Sequence, residues 1–179
     1  RNFILMKYIV KSFVVTFLLL ISTYATASDK IAFIDMKEIL NNSKAGKGAQ
    51  DYLQKAFKEG QKKFSDLETK LKKEESDLLA KKTILSKEEY KKNSDKLREK
   101  VINYQNSRRE SLDDITQKRA KAREDLLKKL TPIIEKYTIE KDILLILDKK
   151  NIIAGNPALD LTKTILEKLN KELPSLNLK

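Results

Sequence analysis

The chain of 179 residues contains no cysteine and no histidine. Without cysteine it can form no disulfide, thiol nucleophile or thiolate metal site. Without histidine it has no imidazole general base and no imidazole zinc ligand, which excludes the ordinary Ser-His-Asp mechanism. Carboxylate chemistry and a serine–lysine pair remain open, but no spacing favours either. The sequence therefore predicts a protein that is not an enzyme, with no catalytic, cofactor or metal site.

Tryptophan is also absent, and there are only four glycines and three prolines. Charged residues make up 36% of the chain and hydrophobic residues 40%. This composition suits long helices and coiled coils better than a compact globule with an aromatic core. The length indicates one domain, or one domain with an extension.

Residues 1–27 have the pattern of a secretory signal peptide. They contain three basic residues and no acidic residue, an apolar run over 13–21, and the tripeptide Ala-Thr-Ala at 25–27. A basic start, a short apolar core and a small-residue cleavage site are typical of an export signal. Because a bilayer span needs about 20 apolar residues, an uncleaved membrane anchor is the less favoured alternative.

The same pattern predicts where the exported chain begins. Met6 fits a true start, which makes residues 1–5 an upstream extension, and we expect the mature chain to begin at about Ser28. An exported chain without cysteine gains no disulfide from an oxidising compartment. No glycine-rich phosphate loop is present, so ATP is not expected to drive its activity.

Two heptad patterns predict two long helices joined by a turn. From about residue 49 to 82, apolar residues recur every seven positions, as Phe57, Phe64, Leu71 and Leu78. Ser86 followed by Glu89 makes a capping box, so a turn near 83–86 should precede a new helix. A second apolar seam follows from Tyr90 to Ile133.

The two seams match each other as an antiparallel hairpin whose tip lies near residue 84. Facing residues then have numbers that add to about 168. Apolar residues face each other in the pairs Leu78–Tyr90, Leu71–Leu97, Leu67–Val101, Phe64–Tyr104 and Leu53–Ile115. Interruptions also face each other, in the pairs Glu74–Ser94 and Gly60–Arg108. Such a seam packs less tightly than an all-leucine zipper, so the hairpin should bend, although an ordinary imperfect coiled coil would look the same. Pro132 predicts a kink or a break in the second helix.

The excess positive charge lies on the predicted hairpin. Residues 44–137 contain 26 basic and 17 acidic residues, a net charge of +9, and the flanking parts of the mature chain nearly cancel. Such a field attracts acidic partners and speeds their encounter. Nucleic acid, anionic lipid and acidic polypeptides are candidates, and a merely solvated basic surface is the alternative. Export and the interleaved acidic residues argue against nucleic acid.

A short apolar stretch near the C-terminus differs from the charged helices. Ile143 to Leu147 is apolar without interruption, a polar turn follows over 148–151, and Ile152 and Ile153 are expected to begin the return strand of a β-hairpin. Another strand is predicted over Ile31 to Ile34. Asp160 can cap a final short helix. This material is too small to bury two sheet faces, so we expect other copies of the chain to cover it, with a small monomeric α+β head as the alternative.

At this point the order of parts resembles the Skp (OmpH-like) family of periplasmic chaperones. The most specific segments are KIAFIDM at 30–36 and the block from Ile143 to Leu161, which ends in LDLT at 159–162. The resemblance implies an α+β protein: a jellyfish-like homotrimer whose long antiparallel coiled-coil hairpins project from a small β-rich association body. Residues 28–43 and 138–179 would form that body, and residues 44–137 the arm.

The resemblance also implies roles for particular residues. The trimer association body would contain Ile31, Phe33, Ile143, Leu145, Leu147 and Ile153. Client binding is assigned only by electrostatics, to basic residues of the arm: Lys81, Lys82, Lys87, Lys91, Lys92, Arg108, Arg109, Lys118, Arg119, Lys121 and Arg123.

The function implied is an ATP-independent holdase in the periplasm, which captures unfolded outer-membrane β-barrel proteins between flexible basic arms and prevents their aggregation. The alternative is an envelope coiled-coil adaptor that binds anionic lipid or lipopolysaccharide. A secreted nucleic-acid-compacting protein is a third hypothesis, and would show steep salt dependence on DNA.

Overall fold

The structure, a computed structural model, describes residues 30–178. Within them, β1 (Ile31–Ile34) is followed by helices α1 (Met36–Asn42), α2 (Lys44–Ala80) and α3 (Lys87–Glu140). Then come strand β2 (Leu145–Asp148), two 3-10 turns (Lys149–Asn151 and Pro157–Leu159) and helix α4 (Thr162–Glu172). The predicted signal peptide lies outside the described residues. No helix in the described part of the chain is long and apolar enough to cross a membrane.

Helices α2 and α3 pack against each other as the predicted hairpin, and together they form the arm. At 1.5 Å per residue, the 37 residues of α2 span about 55 Å. The tip is the turn between Ala80 and Lys87. The predicted capping box is confirmed: the Glu89 N–H donates to Ser86 Oγ, and the Ser86 N–H donates to Glu89 Oε2, both at 3.2 Å. These bonds satisfy N–H groups that a helix start would leave without partners.

A sharp break at Ser43 separates α1 from α2. The Ser43 backbone is extended, and its Oγ accepts a hydrogen bond from the Gly46 N–H at 3.0 Å. A Cβ atom on Gly46 would lie 1.9 Å from the Leu40 carbonyl oxygen, so this close approach requires glycine. The arm helix α2 is therefore joined to the rest of the fold through a corner and not through a continuous helix.

The two strands pair in parallel, and the predicted β-hairpin is wrong. Ile31 lies opposite Leu145, and Ile34 lies opposite Asp148. Instead of a return strand, the Asp148 side chain accepts the Lys150 N–H at 3.2 Å and starts a 3-10 turn, after which Ile152 leaves without a strand partner. The whole arm acts as the long crossover that parallel strands need.

The other edge of β1 contacts the LDLT segment. Phe33 forms a parallel bridge with Asp160, and its carbonyl accepts the Leu161 N–H at 2.9 Å. Thr162 is buried, its Oγ1 accepts the Asp35 N–H at 2.8 Å, and its hydroxyl donates to Asp160 Oδ1. Asp160 Oδ1 also accepts the Thr162 N–H at 2.9 Å, so it supports the start of α4 although Leu161 occupies the N-cap.

The hydrophobic core lies where α1, α3 and α4 meet, beside β1. Ile39, Leu130, Ile165 and Leu169 are fully buried there. We call β1, α1, the end of α3 that packs in this core, and the chain from β2 onward the body. Because α3 supplies Leu130 as well as one side of the arm, a single helix runs from the tip into the core.

Pro132 does not break α3. The helix continues through it to Glu140, although proline removes the hydrogen bond to the carbonyl four residues earlier. Pro132 is exposed, so the freed carbonyl lies on a side that water reaches, while Leu130 and Ile133 on either side are buried. Packing of these neighbours in the core holds the helix across the proline.

Candidate functional site

The centre of the arm is held by one aromatic contact and the polar groups around it. The rings of Phe64 and Tyr104 meet edge to face, with centroids 6.0 Å apart, which confirms their predicted pairing. The Tyr104 hydroxyl donates to Glu68 Oε2 at 3.3 Å. Glu68 in turn pairs with Lys72 at 2.7 Å, and the hydrogen bond and charge of Lys72 lower the pKa of Glu68. These contacts thus hold α2 and α3 together at the middle of the arm.

Glu74, which was predicted to interrupt the seam opposite Ser94, finds a charged partner on the facing helix: its Oε2 pairs with Lys100 Nζ at 2.6 Å. The long lysine side chain reaches along the arm to a carboxylate that would otherwise interrupt the seam. Such an exposed pair contributes little stability. It therefore gives the Glu74 carboxylate a charged partner without holding α2 and α3 together more firmly.

A cavity of about 280 Å³ opens in the arm beside Gly60, and Arg108 also lines it, so this predicted pair of interruptions does share one site. A Cβ atom on Gly60 would lie 3.4 Å from Ser111 Oγ, an ordinary van der Waals contact, so an alanine would fit on that side. Phe57 and Leu112 line the same cavity and remain more than two-fifths exposed. The seam is therefore open to solvent here, with apolar side chains accessible beside a basic one.

The arm exposes further large apolar side chains among its charges. Ile84 at the tip is 80% exposed and Leu79 is 56% exposed, and Ile102 on α3 is also exposed. The charge pattern alone did not reveal this apolar surface. The signal was present in the sequence as apolar residues that fall outside the heptad rows.

The eleven predicted basic residues are spread along the arm and do not form one patch. Lys81 and Lys82 lie in the tip turn, Lys87, Lys91 and Lys92 in the first turns of α3, Arg108 and Arg109 midway, and Lys118, Arg119, Lys121 and Arg123 near the body. The two groups at the ends differ in their partners.

Near the body the charges are partly neutralised. Lys118 Nζ lies 2.9 Å from Asp114 and 5.9 Å from the centre of the Tyr52 ring, and its hydrogen bond to Asp114 is the main cause of its raised pKa. Lys121 pairs with Asp125 at 3.2 Å. In contrast, the five lysines at and beside the tip make no ion pair with any residue between 30 and 178. Arg108, Arg109, Arg119 and Arg123 likewise make no ion pair within residues 30–178, so unpaired positive charge lies at the tip and along α3.

A second candidate surface lies on the body, around the two strands. Ile31, Leu145 and Leu147 are exposed, Ile153 is fully exposed and Ile143 is half-buried. Phe33 differs, because it is buried within the chain next to Gly155.

Other apolar residues of the body are exposed and were not predicted as association residues. Leu144 is 69% exposed, Ile139 at the end of α3 is 82% exposed, and Leu159 is 40% exposed. Leu144 belonged to the apolar run itself, so its omission had no basis in the sequence. These side chains extend the apolar character of the body beyond the two strands.

Between 30 and 178, no group of three or more acidic side chains is placed to hold a metal ion. No side-chain nitrogen or oxygen buried in that part of the chain lacks a hydrogen-bond partner.

Comparison with known proteins connects the arm and the body surface. A family model described as outer membrane protein (OmpH-like) matches residues 30–169. The chain belongs to the OmpH-like family. An OmpH-like protein of Caulobacter crescentus, described as a proposed outer membrane chaperone, has the same fold: the TM-score is 0.77 at 19% identity, over 87% of this chain and 92% of that one. No curated protein matches the chain at a significant level.

The OmpH-like match includes β1, the whole arm and the segment around Asp160 and Thr162. The resemblance inferred from KIAFIDM and LDLT is therefore confirmed. The match ends within α4, so residues 170–178 lie beyond it.

Proposed function

We propose that the protein is an exported chaperone, which works as an ATP-independent holdase for unfolded outer-membrane β-barrel proteins in the periplasm. The observation that carries this proposal is the arm itself. It presents apolar side chains such as Phe57, Leu112 and Ile84 between unpaired lysines, on a long scaffold that is loosely packed. An unfolded, apolar and acidic chain would find many weak contacts along such a surface.

Weak contacts suffice if several arms surround one client. When a chain is held at many points at once, each further contact forms at a high local concentration, so the total affinity exceeds that of any single contact. Positive charge would draw acidic clients in from a distance. The eleven basic residues of the arm are proposed as this attractive field, with Lys118 and Lys121 contributing least because Asp114 and Asp125 neutralise them.

The exposed surface of the body supports association with other copies of the chain. Leu144, Leu145, Leu147 and Ile153 leave a large apolar area uncovered in the single chain. Surfaces of this kind mark sites of protein association. We propose that three copies join through this surface and Ile31, so that the three arms enclose a space. The signal peptide over residues 1–27 would bring the chain to the compartment where such clients pass.

The decisive experiment is the native mass of residues 28–179 by light scattering, alone and after dilution of a urea-unfolded outer-membrane barrel into the sample. We expect a mass of three chains, and a soluble complex that contains one added client. A globular protein of similar charge serves as the control for non-specific protection. A monomer, or a trimer beside precipitated client, would contradict the holdase.

Salt should slow client capture if charge guides it. Raising the ionic strength from about 50 mM to about 500 mM shortens the screening length to a few ångströms, so attraction between exposed charges is lost. We expect the capture rate measured by stopped-flow fluorescence to fall severalfold, while the trimer mass stays constant. A capture rate that does not respond to salt would leave apolar contact as the cause of binding.

A second function, binding of anionic lipid or lipopolysaccharide as an envelope adaptor, is favoured by one observation at the tip. Leu79 and Ile84 are strongly exposed beside Lys81 and Lys82, and apolar side chains flanked by basic ones bind anionic membrane surfaces. Co-sedimentation with anionic and with neutral vesicles tests this function. Ile84→Ser should weaken binding to anionic vesicles, whereas the exposed neighbour Thr83→Ser should not.

A further inference from the structure

The last described stretch of the chain contacts the arm close to the body. After α4 ends at Glu172, residues 173–178 continue without regular secondary structure. Leu178 is nevertheless only 7% exposed, and it clusters with Ala49 of α2 and Ala122 of α3. Leu176 packs against this cluster and against the main core. The stretch therefore fills the groove that two small alanines leave between the arm helices.

The last turn of α4, which leads into this stretch, contacts α2 at a second point. Asn170 Oδ1 accepts the Lys44 N–H at 2.7 Å. Lys44 is the first residue of α2, where N–H groups lack partners within the helix. Residues 170–178 thus hold α2 at its start through Asn170 and about one and a half turns later through Leu178.

These contacts fall on the arm helix that is less firmly attached. Helix α3 continues into the core and is fixed there by Leu126 and Leu130. Helix α2 begins after the corner at Ser43, where one extended residue separates it from α1, and it contributes only Ala45 of its first turn to the core. If α2 and α3 separate near the body, we expect α2 to move about this corner, because α3 is held in the core by more side chains.

We propose that residues 170–178 form a strap that holds α2 against α3 at the base of the arm and limits how far the arm can open. As a regulator of client access this rests on the proposed function, but the strap is defined by contacts that need no client. The residues beyond the family match would then set the stiffness of an arm whose architecture the family shares.

The first test compares amide exchange in the double variant Leu176→Asp/Leu178→Asp with the wild type and with Ser175→Asp. Ser175 is exposed in the same stretch and gains the same kind of charge. We expect residues 44–56 to exchange at least about tenfold faster in the double variant, because buried Leu178 and half-buried Leu176 no longer close the groove. Ser175→Asp should match the wild type. Unchanged exchange in the double variant would overturn the strap.

A second test does not depend on disrupting the segment. The chain contains no cysteine. The double variant Ala49→Cys/Leu178→Cys can therefore form only one disulfide within the chain. We expect mild oxidation to link the two cysteines and to slow exchange over residues 44–56 further, and reduction to reverse both effects. A pair that does not link would show that Leu178 does not stay in the groove, and would overturn the proposal.

The two proposals fail in different ways. The strap is tested by exchange and cross-linking without a client, so a protein that lacks holdase activity can still show it. If the oxidised pair captures large clients more slowly than the reduced pair, the strap limits opening during capture. Equal capture rates would overturn that role.

Discussion

The body and the arm share helix α3, but its surroundings differ in the two regions. In the body α3 contacts α1, α4 and the neighbourhood of β1, and Leu130 is fully buried. In the arm it meets α2 alone over most of its length, and Leu112 remains exposed. One continuous helix is therefore surrounded by several elements in the body, whereas in the arm it packs against a single helix and stays partly exposed to solvent. The difference indicates that the body sets the geometry and the arm is free to yield.

The largest effect is expected at the exposed face of the body. Leu145→Asp with Leu147→Asp should convert the proposed trimer into monomers and leave the helical signal intact, because both side chains are already exposed in the single chain. Light scattering and circular dichroism measure the two properties together. Thr83→Asp with Asn93→Asp adds the same charge to the arm and should leave the mass unchanged. An unchanged mass in the body variant would remove these residues from the association surface.

A truncation in each region compares the packing directly. Leu130→Ala should lower the free energy of unfolding by about 3 kcal/mol, because it leaves a cavity in a fully buried site. Leu71→Ala, at a half-buried site in the arm, should cost about 1 kcal/mol. Urea titration at equal protein concentration measures both values, since association contributes to stability. Equal losses would mean that the arm is packed as firmly as the body.

The polar contacts of the body should make its stability depend on pH. Burial, the largest single influence, raises the pKa of Asp160, but hydrogen bonds from Thr162 and the charge of Lys149 outweigh it, so the net pKa is lowered. The carboxylate therefore stabilises the fold above about pH 4, and this contribution is lost as pH falls through the lowered pKa. Asp160→Asn should cost about 1–2 kcal/mol at pH 7 and clearly less at pH 3.

Urea titrations at pH 7, 5 and 3 check this difference. Glu167→Gln removes one exposed carboxylate from α4 in the same body and serves as the control. A loss that stays the same at pH 3 would show that the charge of Asp160 plays no part.

The smallest effect concerns the end of α3. Asp142 has φ 51°, and the Ile143 N–H reaches back to the Thr138 carbonyl at 3.0 Å, a helix end that usually takes glycine. Asp142→Gly should stabilise the fold by about 0.5 kcal/mol, and Asp142→Ala should destabilise it by about 1 kcal/mol. Thermal unfolding of the three proteins checks the order. Destabilisation by glycine would contradict the account.

Local patterns predicted much of this fold because their partners are near in sequence or repeat regularly. The Ser86–Glu89 capping box spans three residues, and the Phe64–Tyr104 contact follows from two seams folded at a known turn. The parallel pairing of β1 with β2 could not be predicted in the same way, because no local rule relates Ile31 to Leu145. The burial of Leu178 depends on the small size of Ala49 and Ala122, which a search for apolar periodicity treats only as weak positions.

The parallel pairing also constrains the order in which the chain can fold. Every pair in the register joins residues whose numbers differ by 114, and such distant contacts form late because the intervening chain must first be brought together. The α2–α3 hairpin needs only its own residues and a short turn, and helices form within microseconds. The arm is thus expected to exist as a helical hairpin before the body closes. In an exported chain, β1 would therefore stay unpaired until β2, and with it most of the sequence, had entered the same compartment.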